Sequence, residues 1–546
     1  MLKPRKSTIK WLFKNSKSIA FPVLLLTVLG TLLSYISVEF AMASRKLLDS
    51  ATGVGTDSFF ECIIFIAALV GVQLVLESIY NIYAVRVVSA NKNRLQKKLF
   101  SDIMTRDYSQ ITTFHSGELI NRLTQDITAV NSNIIEIVPS VVTLLTGVVF
   151  SFVAMMKLDL ALSLICLSLG PVVFVLAALY GKKMKKLHSR CLESDGKTRS
   201  FMQECIQNIM AVKAFCSEEK AAKHSAHLQK TNYKLNMKRG YISVAVNILY
   251  YLALTAAYYF AVAWCAYKIK AGVMTVGSFA AIIQLVSYIQ TPFRDISGTI
   301  SQFFAACASA ERIMEIEALK SDVTTEKPPK DFSCIKAESV SFSYGDEDIL
   351  KNASFEISKG DIAVIGGGSG KGKTTMFKLM LGMIKAQKGE ISVYNNEDKI
   401  PVSAQTRGLF AYVPQGNMIV SGTIAKNIAF FDDNPDMDKI CKAAKIACIY
   451  DYIETLPDKM DTFVGEKGLG LSEGQVQRIA IARALYYDLP VILLDEATSA
   501  LDEETEALIL KNIKNLKDKT CIIISHRRAA FDIATKRFTL ENGMLI

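Results

Sequence analysis

Two patterns of hydrophobic spacing divide the chain. Up to about residue 304, long apolar runs alternate with basic, polar stretches; beyond residue 333, short β-branched segments alternate with helical periods. Six runs reach roughly the 20 residues that a helix needs to cross a bilayer: Ile19–Ala43, Phe59–Tyr83, Ile134–Met156, Leu158–Tyr180, Tyr241–Tyr267 and Ser278–Phe304. The polar stretches after the second and fourth runs each exceed 45 residues, and NKNRLQKKLFSDIM and MQECIQNIMAVKAF within them space apolar residues as helices do. That spacing predicts that spans two to five continue as helices well past the membrane. Pro139, Pro171 and Pro292 are expected to kink their spans. Ala41-Met42-Ala43 looks like a signal-peptide cleavage site, but the apolar core before it is too long for one, and a retained anchor is expected.

Charge orients these spans. Six basic residues and no acid precede the first; seven lie from Arg86 to Arg122 and fourteen from Lys182 to Arg239. The positive-inside rule therefore puts the N-terminus, both long connections and the C-terminal region in the cytoplasm of a multi-pass cell-membrane protein. Residues 1–320 carry 35 Lys+Arg against 20 Asp+Glu, and the remainder 28 against 32. Because the basic excess flanks apolar runs, it marks membrane orientation, and nucleic acid is not an expected partner. Glu39, Glu61, Glu77, Glu136 and Asp295 lie inside spans. Outside water or cytoplasmic Lys/Arg accounts for each, so none is assigned to substrate. The eleven cysteines form no CxxC and read as reduced, mostly buried thiols.

A Pro-containing polar stretch, residues 321–332, marks a linker. After it, IKAESVSFSY and ASFEI read as strands, and DIAVIG runs into a glycine loop. Gly367, Gly372, Lys373 and Thr374 fit the GxxxxGK[ST] spacing between a strand and a helix. Such a loop, here Gly367, Gly368, Ser369, Gly370, Lys371, Gly372, Lys373, Thr374 and Thr375, turns backbone N–H groups onto phosphate oxygens, and the helix N-terminus adds partial positive charge. Lys373 is expected to reach the β- and γ-phosphates and the Thr374 hydroxyl to ligate Mg²⁺. Further on, VILLDE reads as a buried strand ending in two carboxylates: Asp495 to hold Mg²⁺ and Glu496 to polarise the attacking water. ATP and Mg²⁺ are the expected cofactors.

With LSEGQ and SALD beside these motifs, the chain resembles an ABC exporter half-transporter over nearly its whole length. The resemblance implies an all-α six-helix transmembrane domain (1–320), then a linker (321–332) and an α/β P-loop ATPase domain of ABC type (333–546). It implies that Tyr344 stacks on adenine, that Gln415 meets the metal and the water, and that His526 contacts the γ-phosphate. It also implies that Ser472, Gly474 and Gln475 close on a partner's ATP while Asp502 lies at the dimer seam. Gly117–Gln125 and Ser200–Gln207 resemble segments that bear coupling helices. Two residues depart from the family pattern: Glu473 stands where LSGGQ has glycine, and Lys371 adds a charge to the phosphate loop that could offset Glu473 across the seam.

The implied activity is ATP hydrolysis coupled to export of a peptide, lipid or drug-like molecule, by a homodimer or with a second half-transporter. LSEGQ leans toward peptide. The alternatives are an ATP-gated channel or signalling protein, and a soluble-type ABC ATPase, which six spans disfavour.

Overall fold

The computed structural model describes residues 6–546 apart from 324–325, 327–328, 330, 346, 369, 397, 417–418, 466–467, 469 and 517. Side chains at 167, 169–183, 185–186, 188–189, 192, 247, 250, 291–301 and 304 are likewise outside the description. Pro171, Pro292, Asp295 and most of the fourth expected span therefore have no side-chain account, and Ser369 has none at all.

The chain forms two compact units, residues 1–102 with 116–318, and residues 103–115 with 319–546. The first unit is helical: α1 (Lys6–Ser16), α2 (Ala20–Ala51), α3 (Phe59–Met104), then, past α4 (Tyr108–Ile111) of the second unit, α5 (Ser116–Asn121), α6 (Ile127–Met156), α7 (Leu160–Gln207), α8 (Ile209–Ala214), α9 (Glu218–Lys270) and α10 (Val276–Glu317). The 46 residues of α3 and the 53 of α9 extend about 70 and 80 Å at 1.5 Å per residue, more than twice a hydrocarbon core. Among the described residues four helical stretches are long and apolar enough to cross a membrane: Lys6–Ala51, Phe59–Met104, Ser116–Met156 and Glu218–Lys270. Val276–Gln290 is a shorter apolar stretch. Large apolar side chains such as Phe21, Ile64, Leu74 and Leu145 point outward, as lipid-facing positions do. Small residues pack inside, with Ala41, Ala154, Ala261 and Cys265 at the contact of α2, α6, α9 and α10.

Polar order appears where α6 leaves the membrane stretch. Arg122–Asp126 is a π-turn between α5 and α6, a departure from helix geometry that needs side-chain support. Asp126 is buried and accepts from Ser309 Oγ at 2.9 Å and Arg312 Nε at 2.7 Å. Arg122, also buried, pairs with Glu118 at 2.6 Å and Glu315 at 2.9 Å. The pairs tie the base of α6 to the base of α10.

The two units group the chain differently from the expected domain bounds in one respect. Ile103–His115 belongs with the ATPase unit, because it zips onto residues 319–322. Asp107 N donates to Lys320 O at 2.9 Å, Asp322 N to Thr105 O at 2.8 Å and Arg106 Nη1 to Leu319 O at 2.7 Å. Helix α4 therefore sits in the ATPase unit. The Gly117–Gln125 segment, expected to carry a coupling helix, lies in the membrane unit across α5 and the π-turn.

The ATPase unit contains β1 (Cys334–Tyr344), β2 (Glu347–Ser358), β3 (Ile362–Gly366), α11 (Lys373–Met380), β4 (Lys388–Asn395), β5 (Asp398–Pro401), β6 (Phe410–Val413), β7 (Gly422–Thr423) and α12 (Ile424–Ala429). It continues with α13 (Met437–Ile446), α14 (Tyr450–Thr455), β8 (Phe463–Val464), α15 (Glu473–Tyr486), β9 (Val491–Asp495), α16 (Glu503–Lys514), β10 (Thr520–Ile524), α17 (Arg528–Asp532), β11 (Lys536–Glu541) and β12 (Met544–Leu545). A sheet ordered β12-β11-β3-β10-β9-β6 has parallel neighbours from β11 to β6, and the sheet β2-β1-β4-β5 is antiparallel. The central strands β3, β9 and β10 are buried along their whole length, which is why their sequence runs apolar without alternation.

Asp126→Ala should lower the stability of the purified protein by about 2–4 kcal/mol, since it strands a guanidinium in a part-buried site. An unchanged melting midpoint in detergent would contradict the role given to this pair.

Candidate functional site

Parallel strands deliver their C-terminal ends to one edge of the sheet, where a crevice for ligands forms. The loop after β3 turns there. Gly367 has φ +129°, and a Cβ on it would meet Leu540 O at 2.4 Å; Gly372 has φ +96°, and its Cβ would meet Ile349 Cγ2 at 2.4 Å. Both positions therefore demand glycine on two independent grounds. Helix α11 opens immediately at Lys373, with Thr374 part-exposed and Thr375 buried. Ile349 carries the β1–β2 hairpin alongside, so Tyr344, paired with Glu347, flanks the loop. Tyr344 is 48% exposed, and its ring stands nearly perpendicular to that of Phe342, with centroids 4.8 Å apart.

Lys373 is the centre of this crevice. Its side chain is 5% exposed, and its Nζ donates to Gly367 O at 2.7 Å and Gly368 O at 3.1 Å. The same ammonium lies 2.8 Å from His526 Nε2 and 3.6 Å from Glu496 Oε1. Thr374 Oγ1 donates to Asp495 Oδ1 at 3.2 Å, and Tyr412 OH donates to Asp495 Oδ2 at 3.2 Å. Gln415 Nε2 donates to Glu496 Oε2 at 2.6 Å, and His526 Nε2 stands 3.3 Å from Glu496 Oε1. Six of the expected residues, from four separate stretches of sequence, thus meet in one place. Glu496 has φ +48°, a conformation uncommon for a non-glycine residue, and its N–H donates to Ile524 O at 3.0 Å. The reversal there aims Asp495 and Glu496 into the crevice at different depths.

Asp495 is fully buried, and burial raises its carboxyl above the ordinary range; the bonds from Thr374 and Tyr412 and the charge of Lys373 pull it back, while Glu496 raises it further. Such a carboxylate beside a hydroxyl fits a hard cation that also takes phosphate oxygens and water. Thr374 and Asp495 would hold Mg²⁺. Tyr412 is held well above the usual phenol range, first by burial and then by the Asp495 charge.

The other predicted residues gather separately. Ser472 caps α15 in a reciprocal box: Gln475 N donates to Ser472 Oγ at 3.3 Å and Ser472 N to Gln475 Oε1 at 2.8 Å. Gly474 packs where a Cβ would meet Ala500 O at 3.0 Å. Asp502 caps α16 through Thr505 N at 2.8 Å. Gln477 joins the two segments, donating to Ser499 Oγ at 3.1 Å and accepting from Ala500 N at 3.0 Å. Among the described residues, no hydrogen bond or ion pair links Ser472, Gly474 or Gln475 to Lys373 or Asp495. Lys371 and Glu473 are both exposed.

Several participants escape sequence reading. Tyr412 looks like one more apolar residue of a β-strand. Arg527, next to His526, donates to Leu501 O at 2.7 Å and pairs with buried Glu506 at 2.9 Å, which in turn accepts from Thr498 Oγ1 at 2.7 Å. This links the segment of His526 to that of Asp502. A basic residue beside the histidine is the only local signal.

A membrane unit fused to a P-loop ATPase defines an ATP-driven membrane transporter. A model of the ABC transporter transmembrane region matches residues 20–293, half of the chain, and a second, described as ABC transporter, matches residues 350–499. The chain belongs to the ABC transporter family, with the exporter arrangement of membrane helices preceding a cytoplasmic ATPase that hydrolyses ATP. It is 28% identical to an ATP-dependent lipid A-core flippase of Desulfotalea psychrophila over 99% of this chain and 96% of that one. The flippase of the same description from Pasteurella multocida is 28% identical over 91% and 87%. A solved bacterial Atm1-family ABC exporter with ATP bound shares the fold, with a TM-score of 0.82 over 97% of this chain and 95% of that one at 23% identity.

Tyr412→Phe should push the Asp495 carboxyl up further, because one bond to its ionised form is lost. The acid limb of the ATPase pH profile should then move to higher pH. A limb that stays in place would show that Tyr412 does not tune this carboxylate.

Proposed function

We propose that two copies of this chain form an exporter in which each ATP is held between the phosphate loop of one copy and the LSEGQ segment of the other. The carrying observation is the separation of two complete half-sites in one chain: Lys373, Thr374, Asp495, Glu496, Gln415 and His526 in one place, Ser472, Gly474 and Gln475 in another. Neither half is degenerate, which favours a homodimer over pairing with a second half-transporter. A further support is the tip between α7 and α9, where Ile206, Ile209, Met210 and Phe215 are 69%, 56%, 84% and 80% exposed. Such an apolar tip at the end of a polar hairpin calls for cover, and a second copy supplies it.

Lys373 binds the β- and γ-phosphates, exchanging the carbonyls of Gly367 and Gly368 for phosphate oxygen. Tyr344, about half exposed, stacks on adenine, where stacking contributes about 1–3 kcal/mol. Thr374 and Asp495 hold Mg²⁺, which supplies charge neutralisation at the phosphates. Glu496 takes a proton from the water that attacks the γ-phosphorus, and ADP leaves with phosphate as the second product. Gln415 and His526 hold that water and the γ-phosphate in line. Asp502 lies at the seam, and Arg527 ties its segment to that of His526. ATP binding draws the copies together and turns the membrane cavity outward, and hydrolysis resets it, a population shift driven by nucleotide. The exported molecule is a membrane amphiphile: whole-length similarity to lipid A-core flippases favours a lipid over the peptide to which LSEGQ leans.

Glu496→Gln should retain ATP binding and lose about 100-fold or more in turnover; turnover like that of the unaltered protein would remove Glu496 as the base. The same variant with ATP should sediment as a dimer in detergent, and a strictly monomeric species would overturn the paired sites. For the two departures, Lys371→Glu or Glu473→Lys alone should weaken the ATP-dependent dimer, and the double exchange should restore it if the residues face each other across the seam. Independent, additive effects would reject that pairing.

A further inference from the structure

Helix α1 has two unlike faces. At 100° per residue, Lys6, Lys10 and Lys14 of α1 fall within an arc of about 80°, with Phe13 at its edge, and Lys17 follows in the 3₁₀ turn Lys17–Ile19. All four lysines are exposed, none of them forms an ion pair among the described residues, and Phe13 is 69% exposed. No acidic residue precedes Glu39 to offset this charge. The opposite face is fastened to the base of α10. Thr8, fully buried, donates to Glu311 Oε1 at 3.0 Å, and Trp11 Nε1 donates to Glu317 Oε2 at 2.5 Å. Glu317 also takes Lys98 of α3 at 2.6 Å, and Arg94 of α3 donates to Asn15 O at 3.0 Å. Glu317 is the last residue of α10, and the chain passes from there through Ala318 into the ATPase unit.

The charged face has no partner among the described residues and is followed, after the 3₁₀ turn Lys17–Ile19, by the inner end of the first span, where Phe21 and Leu24 are exposed as lipid-facing residues are. Like charges four residues apart weaken a helix, and eleven residues are few for one to persist unaided. Counter-anions on that face therefore firm the helix and, with it, the bonds to Glu311 and Glu317. We propose that the Lys6–Lys14 face of α1, with Lys17 just beyond it, is a binding surface for anionic phospholipid headgroups of the cytoplasmic leaflet, and that its occupancy raises ATPase activity through Trp11 and Glu317. The four-residue spacing matches a row of headgroups lying along the helix, and Phe13 enters the interface beside them. This is a regulatory surface and is independent of which molecule is exported.

The test uses the full-length protein in nanodiscs of phosphatidylcholine with or without phosphatidylglycerol. The ratio of ATPase rates, anionic over zwitterionic, should be about threefold or more and should fall at high salt, as charge attraction at a membrane surface does. Free glycerol 3-phosphate should have no effect, which separates a lipid surface from a soluble phosphate. In Lys6→Gln/Lys10→Gln/Lys14→Gln the ratio should fall to about one. The control Lys230→Gln/Lys234→Gln/Lys238→Gln, on exposed positions of α9, should keep it. With Trp264→Phe as background, Trp11 is the single emitter of the two tryptophans, and brominated phosphatidylglycerol should quench it more than brominated phosphatidylcholine does. Glu317→Gln should keep that quenching and lose the rate ratio. A ratio of one in the unaltered protein, full retention of the ratio in the α1 variant, or equal quenching by both lipids overturns the surface. A retained ratio in Glu317→Gln overturns the route to the ATPase.

Discussion

A buried ammonium that its own chain only half satisfies governs the ATPase unit. Lys373 is surrounded by two carbonyls, a histidine nitrogen and a carboxylate 3.6 Å away. Carbonyl dipoles and one distant carboxylate stabilise a cation less well than phosphate oxygens do. The crevice is thereby biased toward a polyanion. Glu496 and His526 already touch each other and the lysine, and Gln415 touches Glu496, so a change at the lysine reaches all of them without a long path.

The same economy applies to the second half-site. Ser472 and Gln475 satisfy each other as a capping box, and Gln477 binds the start of α15 to the segment before Asp502. Arg527 and buried Glu506 carry the connection on to the loop of His526. The segments of Ser472 and His526 are therefore joined by hydrogen bonds within one chain.

Charge is used differently in the membrane unit. Arg122, Asp126, Arg312 and Glu315 form a compact, paired group where helix geometry is broken by a π-turn, and Glu317 collects Trp11 and Lys98 at the end of α10. The lysines of α1, by contrast, stand exposed. Paired charges sit where helices must keep their register; lone charges sit where the membrane surface supplies the counter-ion.

The sequence by itself determined whatever depends on near neighbours along the chain. Apolar runs of bilayer length, the basic stretches beside them, GxxxxGKT after a β-branched strand and LLDE at the end of another are local patterns with local physics, so the membrane and ATPase halves were legible, as was most of the phosphate cradle. Only the tertiary structure decided what depends on residues far apart. Nothing in SDIMTRDYSQ announces that Ile103–His115 zips onto residues 319–322, because the bonds are backbone bonds between segments some 200 residues apart. Tyr412 reads as a strand residue until the parallel pairing of β6 with β9 sets it beside Asp495. Arg527, Glu506 and Glu317 are ordinary surface types until burial or convergence makes them hubs, and burial is a property of the packed chain alone.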